Sequence, residues 1–65
     1  MEFKITPKAA RINAGLTQDE AAKALGVSTP TLINWETGKR IPRADYVDKM
    51  LSLYGVPAEL FSMPY

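Results

Sequence analysis

Four glycines divide the chain into segments that are too short for a long helix. They are Gly15, Gly26, Gly38 and Gly55, and each follows a stretch of residues that tolerate or favour helix. Glycine is the residue found most often just past the end of a helix, because it adopts a positive φ without steric cost. The spacing therefore predicts a series of short helices that end at these glycines.

The predicted helices also begin at recognisable residues. Thr6 stands before a proline and is a suitable N-cap for the first helix. Thr17 and Glu20 have the spacing of a capping box. Ser28 begins the third helix, and its hydroxyl should accept from the N–H of Thr31, because the intervening proline has no donor. The resulting helices cover approximately residues 7–14, 18–25, 29–37, 44–54 and 58–62.

Hydrophobic spacing supports the same division. The fourth helix has a 3.6-residue pattern, which predicts an inward stripe of Ala44, Val47, Met50, Leu51 and Tyr54. Residues 3–5 have the one β-like pattern in the sequence, and this segment is too short to form a strand alone. We therefore predict an all-α fold, a compact bundle of five short helices that forms one domain over residues 1–65.

Composition excludes most catalytic chemistry. The chain has no cysteine and no histidine, so thiolates and imidazoles are missing as metal ligands, nucleophiles and general bases. The remaining carboxylates, such as the adjacent Asp19 and Glu20, do not share a helix face. We expect no enzyme activity, no metal, no cofactor and no small-molecule ligand. Apolar runs are too short to span a membrane, and the N-terminus has no signal-peptide pattern, so we expect an intracellular protein.

The most informative stretch is residues 18–38. Ala22 has almost no side chain to block a crossing helix, and Gly26 permits a sharp turn between two helices. Leu32 and Trp35 lie three residues apart, so both should pack the second helix onto the first. This pattern is typical of a helix-turn-helix, whose second helix faces outward and enters a DNA major groove.

Three longer motifs extend this pattern. After Arg11, they are Gly15-Leu16-Thr17-Gln18-x-Glu20-x-Ala22-x-x-Leu25-Gly26-Val27-Ser28, Leu32-x-x-Trp35-Glu36-x-Gly38-Lys39-Arg40-x-Pro42 and Leu51-x-x-Tyr54-Gly55-Val56-x-x-x-Leu60. Together they resemble the lambda-repressor-like family of phage repressors, Cro proteins and bacterial regulators. The resemblance covers residues 7–62 and implies a small DNA-reading domain.

The resemblance implies four base-reading residues at the start of the third helix: Thr29, Pro30, Ile33 and Asn34. Asn34 is able to bond adenine N6 and N7 together, whereas Pro30 has no hydrogen bond to offer a base. Ile33 has two interpretations, contact with a thymine methyl or packing against the second helix. The resemblance also implies that Arg11 and Glu36 form a structural ion pair.

A second group is implied to bind DNA phosphates. These residues lie at helix N-termini, at the end of the third helix and in the basic loop after it, and they are Gln18, Ser28, Thr37, Lys39, Arg40 and Arg43. Three cations in five residues suit phosphates chemically, although the net charge of the chain is only +1. The alternatives are a solvated first-turn glutamine and a solubilising loop.

Taken together, the motifs predict a sequence-specific DNA-binding transcriptional regulator, a phage or prophage Cro- or repressor-like protein of the cytoplasm or nucleoid. Its expected partner is double-stranded operator DNA of palindromic sequence, bound by a weak homodimer or by a dimer that forms on DNA. The dimer-contact candidates are Pro57, Ala58, Met63 and Tyr65. The alternative is a protein-interaction module, an antirepressor, modulator or antitoxin, with the same fold.

Overall fold

The computed structural model describes residues 4–64 and consists of four α-helices and one short 3-10 helix. The all-α class predicted from the sequence is confirmed. None of the helices within the described residues has the length and hydropathy needed to cross a membrane. The elements are α1 (Pro7–Asn13), α2 (Gln18–Leu25), α3 (Thr29–Thr37), α4 (Ala44–Tyr54) and the 3-10 helix (Ala58–Leu60).

Hydrogen-bonding side chains begin the first three helices. Thr6 caps α1, and the Ser28 hydroxyl accepts from the N–H of Thr31 at 3.3 Å at the start of α3. At α2 the N–H of Glu20 donates to Thr17 Oγ1 at 3.1 Å, and the N–H of Thr17 donates to Glu20 Oε1 at 2.9 Å. The hydrogen bond from the Thr17 N–H stabilises the ionised carboxylate of Glu20 and therefore lowers the pKa of Glu20. The caps thus fix where each helix enters the bundle.

The predicted fifth α-helix, residues 58–62, is wrong in kind and in length. Only Ala58–Leu60 are helical, and they form a 3-10 helix. Phe61 is extended and forms a parallel bridge with Ile5. The N–H of Ile5 donates to the carbonyl of Leu60 at 2.6 Å, and the N–H of Ser62 donates to the carbonyl of Ile5 at 2.9 Å. Because the Leu60 carbonyl and the Ser62 N–H are bonded to Ile5, the helix does not continue past Leu60.

The core contains small and large side chains from all four α-helices. Alanines on α2 leave room for α3 to approach closely, and the larger side chains of α3 and α4 fill the centre. The buried hydrophobic residues are Ala10, Ala21, Ala22, Leu25, Leu32, Trp35, Met50 and Tyr54.

The predicted inward stripe of α4 requires a correction at its first turn. Ala44 is exposed, although Met50 and Tyr54 are buried as expected. Tyr46 packs against the core instead, with its ring centroid 5.1 Å from that of Trp35 and tilted by 46°. An aromatic ring gains more by covering Trp35 than an alanine would, so α4 is rotated toward Tyr46.

The C-terminal segment lies against the end of α3. Gly38 ends that helix with φ +82°, and a Cβ atom built there would lie 2.6 Å from the carbonyl oxygen of Pro64. Only glycine permits both this backbone conformation and this close approach. The last described residues are therefore in contact with the end of α3.

Candidate nucleic-acid interface

A three-residue connection, residues 26–28, joins α2 to α3 in a helix-turn-helix. Gly26 has φ +77°, and the N–H of the next residue, Val27, donates to the carbonyl of Ala22 at 3.0 Å. Leu32 and Trp35 are both buried on the side of α3 that faces the core. The opposite side of α3 is consequently held outward at a fixed angle to α2.

The four predicted base-reading residues lie on this outward side of α3. Pro30 is exposed and Ile33 is 36% exposed, while Thr29 and Asn34 are half-buried. Residues four apart on a helix lie one above the other, so Thr29 and Ile33 form one row and Pro30 and Asn34 the next. The arrangement brings the four side chains together on one surface, which we call the reading face.

One contact to the reading face is not evident from the sequence. The hydroxyl of Thr29 donates to Oδ1 of Asp19 at 2.7 Å, which joins the first residue of α3 to the first turn of α2. The capping box indicated an N-terminal acid on α2, but the crossing of the two helices determines which residue it meets. An acidic residue just after Gln18 and a hydroxyl at the start of α3 were the signals available.

The predicted phosphate ligands at the helix starts have partners inside the protein. Gln18 is half-buried, and its Nε2 donates to Glu36 Oε1 at 3.4 Å. Ser28 is exposed and caps α3, and its Oγ is 2.8 Å from Thr31 Oγ1. These bonds orient both side chains at the N-termini of α2 and α3, where the helix dipole favours an anion.

Thr37 lies at the other end of α3. Its hydroxyl donates to the carbonyl of Ile33 at 3.0 Å, so the proton points back along the helix. The oxygen retains only acceptor capacity in this arrangement, and binding a phosphate would require the hydroxyl to rotate.

The basic loop between α3 and α4 exposes all three predicted cations, Lys39, Arg40 and Arg43. The N–H of Arg40 donates to the carbonyl of Asn34 at 3.2 Å, which holds the start of the loop against the C-terminal end of α3. Arg43 pairs with Asp45 at 3.4 Å, but both side chains are exposed, and such a pair is weak in water.

Two cations lie over the ring of Tyr46 beside this loop. The guanidinium of Arg43 lies 5.5 Å from the centroid of the Tyr46 ring, and Lys49 Nζ lies 5.1 Å from it. Both distances are typical of cation–π contacts. The sequence alone does not indicate this contact of Lys49, because it depends on the rotation of α4 that brings Tyr46 onto Trp35.

Arg11 and Glu36 connect α1 to α3 in the interior. Arg11 Nε donates to Glu36 Oε2 at 2.7 Å, and the two side chains are only 8% and 3% exposed. Arg11 Nη1 also donates to the carbonyl of Leu16 at 2.9 Å.

The hydroxyl of Tyr54 is buried without a hydrogen-bond partner among the described residues. Burial raises the pKa of Tyr54 to about 12, with a further increase from the charge of Glu36 that Arg11 partly offsets.

The dimer-contact candidates are separate from the reading face in the sequence. Pro57 and Ala58 are exposed and Met63 is half-buried. Tyr65 lies outside the described residues.

Comparison with known proteins places these features in context. Residues 8–61 match a protein family described as helix-turn-helix. Over 53 residues the chain is 40% identical to the cryptic phage CTXphi transcriptional repressor RstR of Vibrio cholerae. The match covers 80% of this chain and 48% of the relative, so the chain spans about half the length of that curated protein. No solved structure matches the chain significantly.

Proposed function

The chain belongs to the lambda-repressor-like helix-turn-helix family, and from that premise we propose that it is a sequence-specific DNA-binding transcriptional regulator. The observation that carries the proposal is the reading face of α3, held outward by Leu32 and Trp35 and followed in the chain by the exposed cations of the loop at residues 39–43. Because the proposed target is DNA, the location that we propose for the protein is the bacterial cytoplasm or nucleoid.

In this proposal α3 enters the major groove with its N-terminal half. Asn34 is the residue suited to bond an adenine edge, and Ile33 supplies an apolar contact for a thymine methyl. Pro30 contributes shape alone, because it has no donor. Specificity therefore depends on few hydrogen bonds, which Thr29 and Asn34 provide.

Phosphate contacts set the position of the helix on the duplex. Gln18 and Ser28 lie at helix N-termini and are held by their internal partners. Lys39, Arg40 and Arg43 supply positive charge after the C-terminal end of α3. Together with Thr37 they form the phosphate-binding group of the proposal.

We further propose that two copies bind a palindromic operator, as in a phage or prophage Cro- or repressor-like protein. One reading face covers only a few base pairs, and a two-fold dimer would place two such faces in successive major grooves about 34 Å apart. Exposed Pro57 and Ala58, with half-buried Met63, are the proposed contacts. The similarity to a phage transcriptional repressor supports this form of the proposal.

A second function has one specific observation in its favour. Ile33 is 36% exposed and lies beside exposed Pro30, so the reading face has an apolar part that another protein could cover. A net charge of +1 is also modest for a DNA-binding protein. An antirepressor, modulator or antitoxin would use this surface for a protein partner.

A titration of random-sequence duplex by fluorescence anisotropy at low salt separates the two functions. A DNA-binding domain should bind even random duplex through phosphates, with an affinity that falls as salt rises. Selection from a random duplex library should then enrich a palindrome. No binding at micromolar protein in low salt would refute the proposed function and favour the protein partner.

A further inference from the structure

The hydrogen bond between Thr29 and Asp19 carries an inference that rests on the proposed function and extends it. We propose that Asp19 is a specificity-determining residue that acts through Thr29. The Asp19 carboxylate holds the hydroxyl proton of Thr29, and Thr29 therefore presents only oxygen lone pairs to the base that it faces. Asp19 is a positioning residue in this scheme and does not itself touch the base.

The geometry of the bond supports the first step. The distance from Thr29 Oγ1 to Asp19 Oδ1 is 2.7 Å, which is typical of a hydroxyl that donates to a charged oxygen. A threonine hydroxyl has one proton and two lone pairs, whereas a carboxylate only accepts. Once the proton is held by Asp19, Thr29 has nothing left to donate.

The position of Thr29 in α3 supports the second step. A threonine inside a helix commonly turns its hydroxyl to a backbone carbonyl of the preceding turn. Thr29 is the first residue of α3 and has no preceding helical turn. Asp19 is the partner that the fold provides in its place, so the side-chain rotamer of Thr29 is set by α2.

The consequence for base choice follows from the chemistry of the major groove. Adenine N6 and cytosine N4 are the amino donors exposed there, whereas guanine and thymine present acceptors. A Thr29 that only accepts favours adenine or cytosine at the base it faces. With a free hydroxyl, the same residue would bond guanine or thymine equally well.

The test is selection from random duplexes with wild-type protein and Asp19→Ala, Thr29→Val, Thr29→Ser and Asp19→Ala/Thr29→Val variants. The position that Thr29 reads is the one whose base preference changes most in Thr29→Val. Wild type should select adenine or cytosine there, and Asp19→Ala should lower that preference roughly threefold to tenfold, the factor that one hydrogen bond carries. Other positions should keep their preferences.

Two comparisons separate this role from a structural one. Thr29→Ser retains the hydroxyl and should retain the preference, and in the Thr29→Val background Asp19→Ala should cause no further change at that position. Asp48→Ala removes the same charge from an exposed site on α4 and serves as the matched control. It should leave every base preference unchanged.

The outcomes that overturn the inference differ from those that refute the proposed function. If wild type binds DNA and Asp19→Ala selects the same base at that position, Asp19 does not set specificity. An equal effect of Asp19→Ala with and without the Thr29 hydroxyl would mean that Asp19 reads the base directly. Selection of guanine or thymine by wild type also overturns it, even if Asp19→Ala does not fold. Failure of wild type to bind any duplex refutes the proposed function itself.

Discussion

Arg11 on α1 and Glu36 on α3 form an ion pair that is almost completely removed from solvent, with Arg11 Nε 2.7 Å from Glu36 Oε2. The same carboxylate accepts from Gln18 at the start of α2. One acidic side chain therefore joins three helices. The position of α3 relative to the rest of the bundle depends on it.

Glu36→Ala should lower the free energy of unfolding by about 3 kcal/mol or more, because it leaves a buried guanidinium without its counter-charge. Arg11→Met/Glu36→Leu removes both charges and should recover most of that loss. Urea denaturation of the three proteins measures the difference. A loss below about 1 kcal/mol in Glu36→Ala, the range of an exposed pair, would show that the pair contributes little.

Lys39→Ala and Arg40→Ala should weaken binding to all duplexes alike, because phosphate contacts do not distinguish sequences. Each lost contact should also reduce the slope of log K against log salt by about 0.9. Anisotropy titrations over a salt series measure both effects. Lys23→Ala removes an exposed cation from α2 and is the control. An unchanged slope in both loop variants would exclude the loop from the interface.

Asn34→Ala should relax selection at one base pair by about 1–3 kcal/mol and leave the salt slope unchanged, since the proposed interface would lose a base contact and no charge. Competition between operator variants that differ at single positions is the measurement. Equal discrimination by Asn34→Ala and wild type at all positions would remove Asn34 from the reading face.

Gly38→Ala should destabilise the protein more than Gly55→Ala does. Both glycines have positive φ, so each alanine costs about 1 kcal/mol of backbone strain. A Cβ at Gly55 meets nothing within 4 Å, whereas at Gly38 it would lie 2.6 Å from the carbonyl oxygen of Pro64. Thermal denaturation compares the two variants. Equal losses would mean that the C-terminal segment moves away without cost.

The free energy of unfolding should fall with rising pH between about pH 10 and about pH 12 because of Tyr54. Its pKa is raised in the folded state, so over this interval the unfolded chain releases a proton that the folded protein retains. Below pH 10 the phenol is protonated in both states and causes no slope. Tyr54→Phe should remove this part of the pH dependence, which urea denaturation at several alkaline pH values measures. The same slope in wild type and Tyr54→Phe would contradict the assignment.

The features predictable from the sequence were those with local causes. The Thr17 and Ser28 caps and the glycine stops depend on neighbouring residues, and they fixed the helix limits closely. The resemblance to the lambda-repressor-like family also rested on motifs of fixed spacing, and the family match over residues 8–61 confirms it.

The features that escaped prediction depend on contacts between distant segments. The pairing of Ile5 with Phe61 replaced the predicted fifth helix, because an extended backbone partner was available only in the folded bundle. The rotation that exposes Ala44 follows from the contact between Tyr46 and Trp35. The bond between Asp19 and Thr29 likewise arises from the crossing of α2 and α3, which a helical pattern alone does not specify.

The pairing of Ile5 with Phe61 has a consequence for the order of folding. It closes nearly the whole described chain into a single loop, whereas Asp19 and Thr29 close a loop of only ten residues. The entropy of loop closure makes the longer contact more costly by roughly 1.5 kcal/mol. We therefore expect the helix-turn-helix to form first and the two ends of the described chain to join later.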